Sequence, residues 1–322
     1  MKTFGRLLLA LLLFGPALSA QAQTWPPKTV HIYVPFGAGS TPDTVARLIA
    51  DELGKKYPGN AFVVENKPGA SGNLGTDAVA KAKPDGSVIG ISIGGPLAIN
   101  TLLFSKLPYD PKQDIAAITQ LITQPSALAV APSLGVDNVA ALVKLLKDNP
   151  GKYNFASIGN GSLSHLAMEA LALASGTKIV HVPYNSSPQA ILAVIRGDAQ
   201  MACLPAISVT PLAKDGKVRI IAVSTAKRSP FLPEVPTLKE SGIDVDADAW
   251  MGLIGPGGLP KAMVAAINKD VAAIVKLPAI REKLAAQLME PVGSSLEEFR
   301  ARIDGEIARW APVIKAANVK VN

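Results

Sequence analysis

Short β-branched runs alternate with helical patterns along most of the chain, and this alternation constrains the fold more than any other feature. Runs such as VHIYV (30–34), SVIGISI (87–93) and KIVHVPY (178–184) are each followed within a few residues by a helical pattern. Such alternation is typical of buried parallel strands covered by helices. The sequence therefore predicts an α/β fold with parallel sheets, and a mostly helical last part from Leu259 to Val313.

The predicted elements can be placed from these patterns. The predicted strands are 30–34, 61–66, 87–93, 126–132, 154–158, 178–184, 199–205 and 218–224. The predicted helices that follow strands are about 42–56, 75–83, 96–104, 138–149, 163–175 and 188–198. No internal repeat of fixed short period is visible, so a solenoid is not indicated.

The first 22 residues have the pattern of a secretory signal. Lys2 and Arg6 precede the apolar run LLLALLLF, and a small-residue cleavage pattern ends at Ala22. A membrane anchor is the alternative reading, but this run is shorter than the roughly 20 residues that span a bilayer. We expect cleavage near Ala22, export from the cytoplasm and no later membrane span.

Composition disfavours several classes of site. Basic residues are dispersed and aromatic residues make up only 5%, whereas nucleic-acid binding calls for a basic stripe with stacking rings. The single cysteine, Cys203, cannot form an internal disulfide, and its apolar setting predicts a buried, inert thiol. The three histidines (His31, His165 and His181) have no i, i+4 partner and no cysteine cluster, so no metal site is predicted.

Two enzyme motifs are weakly represented. Gly37-x-Gly39 begins like a dinucleotide fingerprint, but Pro42 stands where that fingerprint needs a third small residue. The spelling G-x-S-x-G occurs around Ser92, yet Ser92 lies inside a strand-like run rather than on a sharp strand-to-helix turn. An exported serine hydrolase using Ser92 or Ser164 with a histidine remains an alternative hypothesis.

Four loops rich in Gly, Ser, Thr and Asn follow strand-like runs, at 36–41, 94–96, 157–164 and 185–187. Three of them clearly precede helices, whose first N–H groups lack internal partners and carry partial positive charge. Glycine allows a ligand to approach the backbone, and such loops gather at the carboxyl edge of a parallel sheet. Together they predict a binding site for a small carboxylate. Ordinary helix capping is the alternative for any single loop.

A set of longer segments carries a family resemblance. They include VPFGAGSTPDTVARLIADEL, VVENKPGASGNLGTDAVAKAKPDG, NFASIGNGSLSHLAMEAL, HVPYNSSPQAILAVIRGD and WMGLIGPGGLPKAMVAAIN, in this order and spacing. In these segments the chain resembles the tripartite tricarboxylate transporter receptors, the Bug-type periplasmic solute-binding proteins. The resemblance covers nearly all of the chain that follows the predicted signal.

The resemblance implies a two-domain periplasmic-binding-protein (Venus flytrap) fold. Two crossing strands, near Leu121–Ala131 and Asp246–Leu253, would form the hinge. The implied division is signal peptide 1–22, domain 1 from 23–124 and 248–322, and domain 2 from 125–247. It also implies a monomeric periplasmic receptor without a cofactor, which binds a small organic acid in the interdomain cleft and delivers it to the membrane subunits of a transporter. Some relatives instead report to a sensor kinase, so a sensor-only receptor is the alternative.

The family's ligand loops map onto the loops identified above. The predicted ligand-binding residues are Phe36, Gly37, Ala38, Gly39, Ser40, Asp43, Gly95, Pro96, Ser157, Asn160, Gly161, Ser162, His165, Tyr184, Asn185, Ser186 and Leu204. Asp43 has two readings, supporting its own loop or bonding ligand or water. His165 either donates to the ligand or anchors its loop.

The chain also departs from the family pattern. Ser40-Thr41-Pro42 stands where the family commonly has glycines, and Leu204-Pro205 stands where it often has an Asp-Asn pair. Without that acid a ligand ammonium would lack its buried partner, so an amine-binding role is disfavoured. A ligand whose far end is apolar or aromatic, or is itself an acid, is favoured instead, and the alternative is that Leu204 is simply part of the core.

Overall fold

The computed structural model describes residues 25–321, and the predicted signal peptide (1–22) lies outside the described residues. In this range the strands are β1 Thr29–Val34, β2 Ala61–Asn66, β3 Val88–Ile93, β4 Ile115–Gln124, β5 Ser126–Val130, β6 Asn154–Ser157, β7 Val180–Pro183, β8 Met201–Pro205, β9 Arg219–Val223, β10 Ala249–Pro256 and β11 Glu290–Pro291. The α-helices are α1 Thr41–Lys56, α2 Asn73–Ala80, α3 Asn100–Leu103, α4 Val139–Asp148, α5 Leu163–Ser175, α6 Ser187–Arg196, α7 Ala206–Lys214, α8 Lys261–Ile274, α9 Pro278–Ala285 and α10 Leu296–Ala316.

Local sequence explains where the helices that follow the predicted loops begin. The helix α1 has Pro42 and Asp43 in its first turn and Lys55 and Lys56 in its last, which suits the helix dipole. Ser162 caps α5 by accepting a hydrogen bond from the backbone N–H of His165, and Ser186 caps α6 in the same way.

The strands form two sheets. The six-stranded sheet has the order β11-β4-β10-β3-β1-β2, and the five-stranded sheet has the order β7-β6-β8-β5-β9. We call the first sheet with its helices lobe 1 and the second sheet with its helices lobe 2. This two-domain α/β architecture confirms the predicted fold class.

The expectation of parallel sheets is wrong in part, because both sheets are mixed. The strand β1 runs parallel to β2 and β3, but β10 is antiparallel to β3 and β4. In lobe 2, β6 runs parallel to β7 and β8, but β5 is antiparallel to β8 and β9. The antiparallel strands β4, β5 and β10 adjoin the passages between sheets. A chain that leaves a sheet and returns to it need not keep the direction that βαβ units impose.

The chain passes between the lobes at two places. The strands β4 and β5 are separated only by Pro125, and β10 enters lobe 1 directly after Asp248. Both passages lie within the segments predicted as crossing strands, 121–131 and 246–253.

The C-terminal helix α10 contacts both lobes. Phe299 and Ile303, near its start, lie in a buried cluster with Trp250 and Leu97 of lobe 1. Trp310, nearer its end, lies in the apolar core around β6 and α5 of lobe 2. The helix therefore fastens the two lobes along one side, which the periodicity of the sequence could not reveal.

A partly buried ionic network joins α10 to the second crossing. Arg302 pairs with Asp248, and Arg309 Nη2 lies 2.9 Å from Asp246 Oδ2. Between them Glu306 Oε1 accepts a hydrogen bond of 2.8 Å from Arg309, and Glu306 is 2% exposed. Buried charges are tolerated when they are paired in this way.

Candidate functional site

The β1–α1 loop presents free backbone donors. Gly37, Ala38 and Gly39 are exposed, and Gly39 has φ +78°, which glycine adopts readily. Ser40 N–H donates to Gly37 O at 3.2 Å and so closes the turn. Within residues 25–321, the N–H groups of Gly37 and Ala38 donate to no protein acceptor. They are available to an anion.

Asp43 holds this loop in shape. Its carboxylate accepts hydrogen bonds from Gly39 N (2.9 Å), from Arg47 Nε and Nη2 (3.0 Å each) and from Asn66 Nδ2 (2.9 Å). Asn66 also donates to Phe36 O at 2.9 Å. The bonds from Arg47, more than offsetting burial, lower the pKa of Asp43 to about 2. With its lone pairs occupied, the carboxylate supports the loop.

Phe36 and Pro96 come together over a tight turn that sequence reasoning missed. A Cβ on Gly72 would lie 3.0 Å from Pro96 Cγ and 3.2 Å from Phe36 Cζ. The backbone there is strained, because Ala70 and Ser71 both have positive φ, between Gly69 and Gly72, which do so as well. The signal was the glycine-rich stretch PGASG (68–72), which follows β2 after one residue.

Buried polar side chains fix the turn that contains Gly95 and Pro96. This π-helical turn spans Gly95–Ile99 and continues into α3. Tyr109 Oη donates to Pro96 O at 2.9 Å and contacts Asn73 Oδ1 at 3.0 Å, and Asn100 Nδ2 donates to the same Asn73 oxygen at 2.8 Å. Burial raises the pKa of Tyr109, so its hydroxyl remains a donor. The turn is thereby held rigidly beside Phe36.

Trp250 forms the floor under this turn. A Cβ on Gly94 would lie 3.1 Å from the Trp250 ring, which packs edge-on against Phe299 at 5.7 Å. The sequence placed Trp250 in a crossing segment without predicting this contact. A side chain at position 94 would press against the indole, because β10 brings the ring against the backbone there.

In lobe 2, the β6–α5 loop is folded by its own hydroxyl groups. Ser157 Oγ accepts from Gly159 N at 3.1 Å, and Ser164 Oγ accepts from Ile158 N at 3.0 Å. Ser162 Oγ donates to Gly159 O at 2.6 Å. Within the described residues the N–H of the exposed Asn160 donates to no protein acceptor. Asn160 therefore offers the free amide at the tip of this loop.

Gly161 brings the loop of lobe 2 against lobe 1. It has φ +71°, and a Cβ there would lie 2.4 Å from Leu103 Cδ1 and 3.2 Å from Val321 Cγ2. Leu103 ends α3, which continues from the turn that carries Gly95 and Pro96. The β6–α5 loop thus lies next to the second loop of lobe 1.

His165 is buried beneath its loop. It is 4% exposed, and its Nδ1 accepts a hydrogen bond of 3.1 Å from Gly161 N. Its ring stacks on His181 with centroids 3.7 Å apart, and His181 Nε2 lies 2.6 Å from Ser157 Oγ. Burial and the charge of His165 lower the pKa of His181 to about 4. Of its two predicted roles, this geometry matches loop anchoring.

The β7–α6 loop lies beside the β6–α5 loop. Tyr184 N donates to Ser157 O at 2.9 Å, and a Cβ on Gly159 would lie 3.9 Å from Tyr184 O. Asn185 is exposed, and its N–H donates to Gln189 Oε1 at 3.1 Å. Ser186 caps α6. The Tyr184 side chain is half-buried against the core of lobe 2, so it borders this surface as a wall.

Leu204 is the predicted residue that the structure separates from these loops. It is 0% exposed, pairs with Ala127 across β5 and β8, and packs among the core side chains of lobe 2. Its neighbour Pro205 begins the turn into α7. The core reading of Leu204 explains its apolar character, and we leave it out of the site.

The candidate nucleophilic side chains are buried or engaged in structural hydrogen bonds. Ser92 is 0% exposed and its Oγ lies 2.8 Å from Thr76 Oγ1. Ser164 Oγ bonds Ile158 N and Ser162 Oγ. Cys203 is buried, and burial raises its thiol pKa to about 12. These side chains lack the exposed, base-activated geometry that nucleophilic catalysis requires.

The side chains and helices of residues 25–321 bear on two other classes of site. Within this range no group of three or more His, Cys, Asp or Glu side chains is arranged to hold a metal ion. In the same range no helix combines the length and hydropathy needed to cross a membrane.

The chain is similar to known proteins over most of its length. A family model described as "Tripartite tricarboxylate transporter family receptor" matches residues 45–319. Protein BugT of Bordetella pertussis is 32% identical over 311 residues, which cover 95% of this chain and 94% of BugT.

Two solved structures are similar over nearly their whole length. R. palustris Rpa4515 with adipate is 33% identical with a TM-score of 0.79, covering 92% of this chain and 99% of that chain. MatC (Rpa3494) from Rhodopseudomonas palustris with bound malate is 28% identical with a TM-score of 0.74, covering 90% and 100%.

These matches decide between the classes of protein considered above. The matching family model, which describes a receptor, covers most of the chain, and the two solved structures hold adipate and malate. The prediction of a solute receptor rather than an enzyme is confirmed. The chain belongs to the tripartite tricarboxylate transporter receptor family, whose members include the Bug proteins.

Proposed function

We propose that this protein binds a small organic carboxylate between its two lobes and delivers it to a tripartite tricarboxylate-type transporter. The observation that carries the proposal is the pair of free backbone donors, Gly37 and Ala38, on a loop that Asp43 holds rigid. Similar proteins hold adipate and malate, which supports a carboxylate as ligand.

Such a site gains binding energy without an arginine. Hydrogen bonds to a charged group contribute about 1.5–3 kcal/mol each, and micromolar binding needs about 8 kcal/mol. The amides of Gly37, Ala38 and Asn160 supply part of that energy. Burial of the ligand against Phe36 and Tyr184 supplies more, because apolar contact adds about 25 cal/mol per Å².

The proposed ligand carries no ammonium group. Asp43, the buried acid nearest the loop amides, is fully engaged by Arg47, Asn66 and Gly39. Leu204 and Pro205 offer no replacement. An ammonium buried without a partner is costly, so dicarboxylates and hydroxy acids should bind in preference to amino acids.

We propose the following organisation for the working protein. A signal peptide of residues 1–22 directs it to the periplasm, domain 1 comprises 23–124 and 248–322, and domain 2 comprises 125–247. The two crossings act as the hinge of a cleft that closes on the ligand, and the receptor acts as a monomer. The contacts of α10 with both lobes limit the closing motion on that side of the molecule.

Calorimetry with a panel of acids tests the proposal. The purified protein is titrated with adipate, succinate, L-malate and benzoate, and with L-aspartate as the amine-bearing counterpart of malate. We expect at least one acid of the first group to bind with micromolar or tighter affinity, and L-aspartate to bind more weakly than malate. A folded protein that binds none of these acids would contradict the proposal.

A further inference from the structure

Two histidines from different elements stack beneath the β6–α5 loop. The His165 and His181 rings lie 3.7 Å apart between centroids and only 8° from parallel. The Phe155 ring lies 4.9 Å from that of His181, so an apolar ring covers part of the pair. His165 is buried and His181 is half-buried.

Each ring holds one arm of the loop. His165 Nδ1 accepts from Gly161 N at 3.1 Å. His181 Nε2 lies 2.6 Å from Ser157 Oγ, and that oxygen in turn accepts from Gly159 N at 3.1 Å. Two amides of the loop, one on each side of Asn160, are therefore fixed through an imidazole.

The bond to Gly161 requires a particular protonation state. A backbone N–H must meet a lone pair, so neutral His165 carries its proton on Nε2, which lies 3.4 Å from Glu169 Oε1. Protonation of Nδ1 would set an N–H against the N–H of Gly161 and break that bond. Charged His165 would keep its contact with Glu169 and lose its hold on the loop.

The groups around the two histidines disfavour a state in which both rings are charged. Glu169 of α5 presents its carboxylate to His165, while β6 contributes the uncharged Phe155 and Ser157. Burial, followed by the charge of His165, lowers the pKa of His181 to about 4. The stack therefore accepts one proton far more readily than two.

We propose that His165 and His181 are a positioning pair, which holds the β6–α5 loop in its carboxylate-binding shape while both rings are neutral and releases Gly161 when His165 takes a proton. The inference deepens the proposed function and rests on it for the effect on ligand affinity. It makes the loop geometry, and hence carboxylate binding, dependent on the protonation state of His165.

The first experiment needs no ligand. Nitrogen NMR of the three histidines is expected to show His165 as the neutral Nε2–H tautomer at pH 7. As the pH is lowered from 7, exchange of the Gly161 amide, corrected for its intrinsic pH dependence, should lose protection in step with protonation of His165. An Nδ1–H tautomer at His165, or Gly161 protection independent of that protonation, would overturn the pair.

The second experiment measures affinity for adipate and L-malate at pH 7 and pH 5. His165→Leu removes the acceptor and should weaken binding about three- to ten-fold at pH 7, the range expected for one lost hydrogen bond. His165→Asn places an amide oxygen near the Nδ1 position, so it should recover part of that loss. It should also show a smaller change between the two pH values than wild type. His31→Asn, on β1 of lobe 1, is the matched control and should leave the affinity unchanged at pH 7 and at pH 5.

All variants bind the same ligand, so a comparison of their pH dependences cancels the effect of the ligand's own ionisation. Equal pH dependence in wild type and His165→Asn would contradict the inference, as would equal affinities of the Leu and Asn variants. If wild type binds neither acid, the proposed function fails for these ligands, while the tautomer and exchange measurements still decide whether the pair positions the loop.

Discussion

Replacing Asp43 with asparagine should destabilise the protein without removing a contact to the ligand. The pKa of Asp43 is lowered from 3.8 to about 2, chiefly by Arg47. At about 1.4 kcal/mol per pKa unit, the charged form contributes at most about 2.5 kcal/mol at neutral pH. Asp43 is buried, but the Arg47 side chain is 52% exposed and screened by solvent. We therefore expect a loss of about 1–1.5 kcal/mol.

Urea denaturation of wild type and Asp43→Asn at pH 7 and pH 3 measures this loss. Because the folded pKa is depressed, the contribution is complete above pH 3.8 and disappears as the pH falls towards 2. The difference between the two proteins should shrink accordingly at pH 3. Asp51→Asn is the matched control, since Asp51 lies exposed on the same helix α1. A difference below about 0.3 kcal/mol at pH 7, or one unchanged at pH 3, would refute the reasoning.

Three further outcomes are expected. Gly161→Ala should lower both stability and carboxylate affinity. Gly176→Ala is the control and should lower stability alone, because Gly176 has a similar positive φ but open space around it. Equal calorimetric affinities for the two variants would contradict this prediction. Gly252→Ala should cost about 3 kcal/mol or more in urea denaturation, because its Cβ would lie 1.9 Å from the Phe299 ring; a loss under 1 kcal/mol would contradict the packing. His181→Gln should flatten the loss of stability as the pH falls from 6.5 to 4, because the depressed pKa of His181 makes the unfolded chain bind the proton first; parallel pH profiles would contradict it.

Elements with strong local signals could be placed from the sequence. The predicted helix 163–175 matches α5 at both ends, and the predicted strand 61–66 matches β2. Serine caps and terminal glycines mark such boundaries within a few residues of chain. The helix α7 was not predicted, since it contains Pro211, which normally disfavours a helix interior. The strand β4 was also not predicted as a separate element, because the only prediction for this part of the chain was the crossing segment.

The roles of individual site residues likewise divide into those that local sequence predicts and those that depend on distant contacts. That Phe36–Asp43 is a rigid, donor-rich loop follows from Gly39, Pro42 and Asp43, which act over a few residues. That Asp43 supports the loop depends on Arg47 one helical turn away, and also on Asn66, which is 23 residues distant. The Asp43–Arg47 spacing is a local helical pattern, but no local pattern could join Asn66 to Asp43, because strand pairing between β1 and β2 brings Asn66 to the loop.

The sequence by itself determined the α/β class, the family, and the loops at which helices begin with free amides, because these depend on local patterning and on ordered motifs. Only the tertiary structure decided that the sheets are mixed, that α10 fastens both lobes, and that Leu204 lies in the core. It also decided that His165 and His181 stack, since one lies on α5 and the other on β7. Contacts between distant segments depend on packing of the whole chain, which periodicity does not encode.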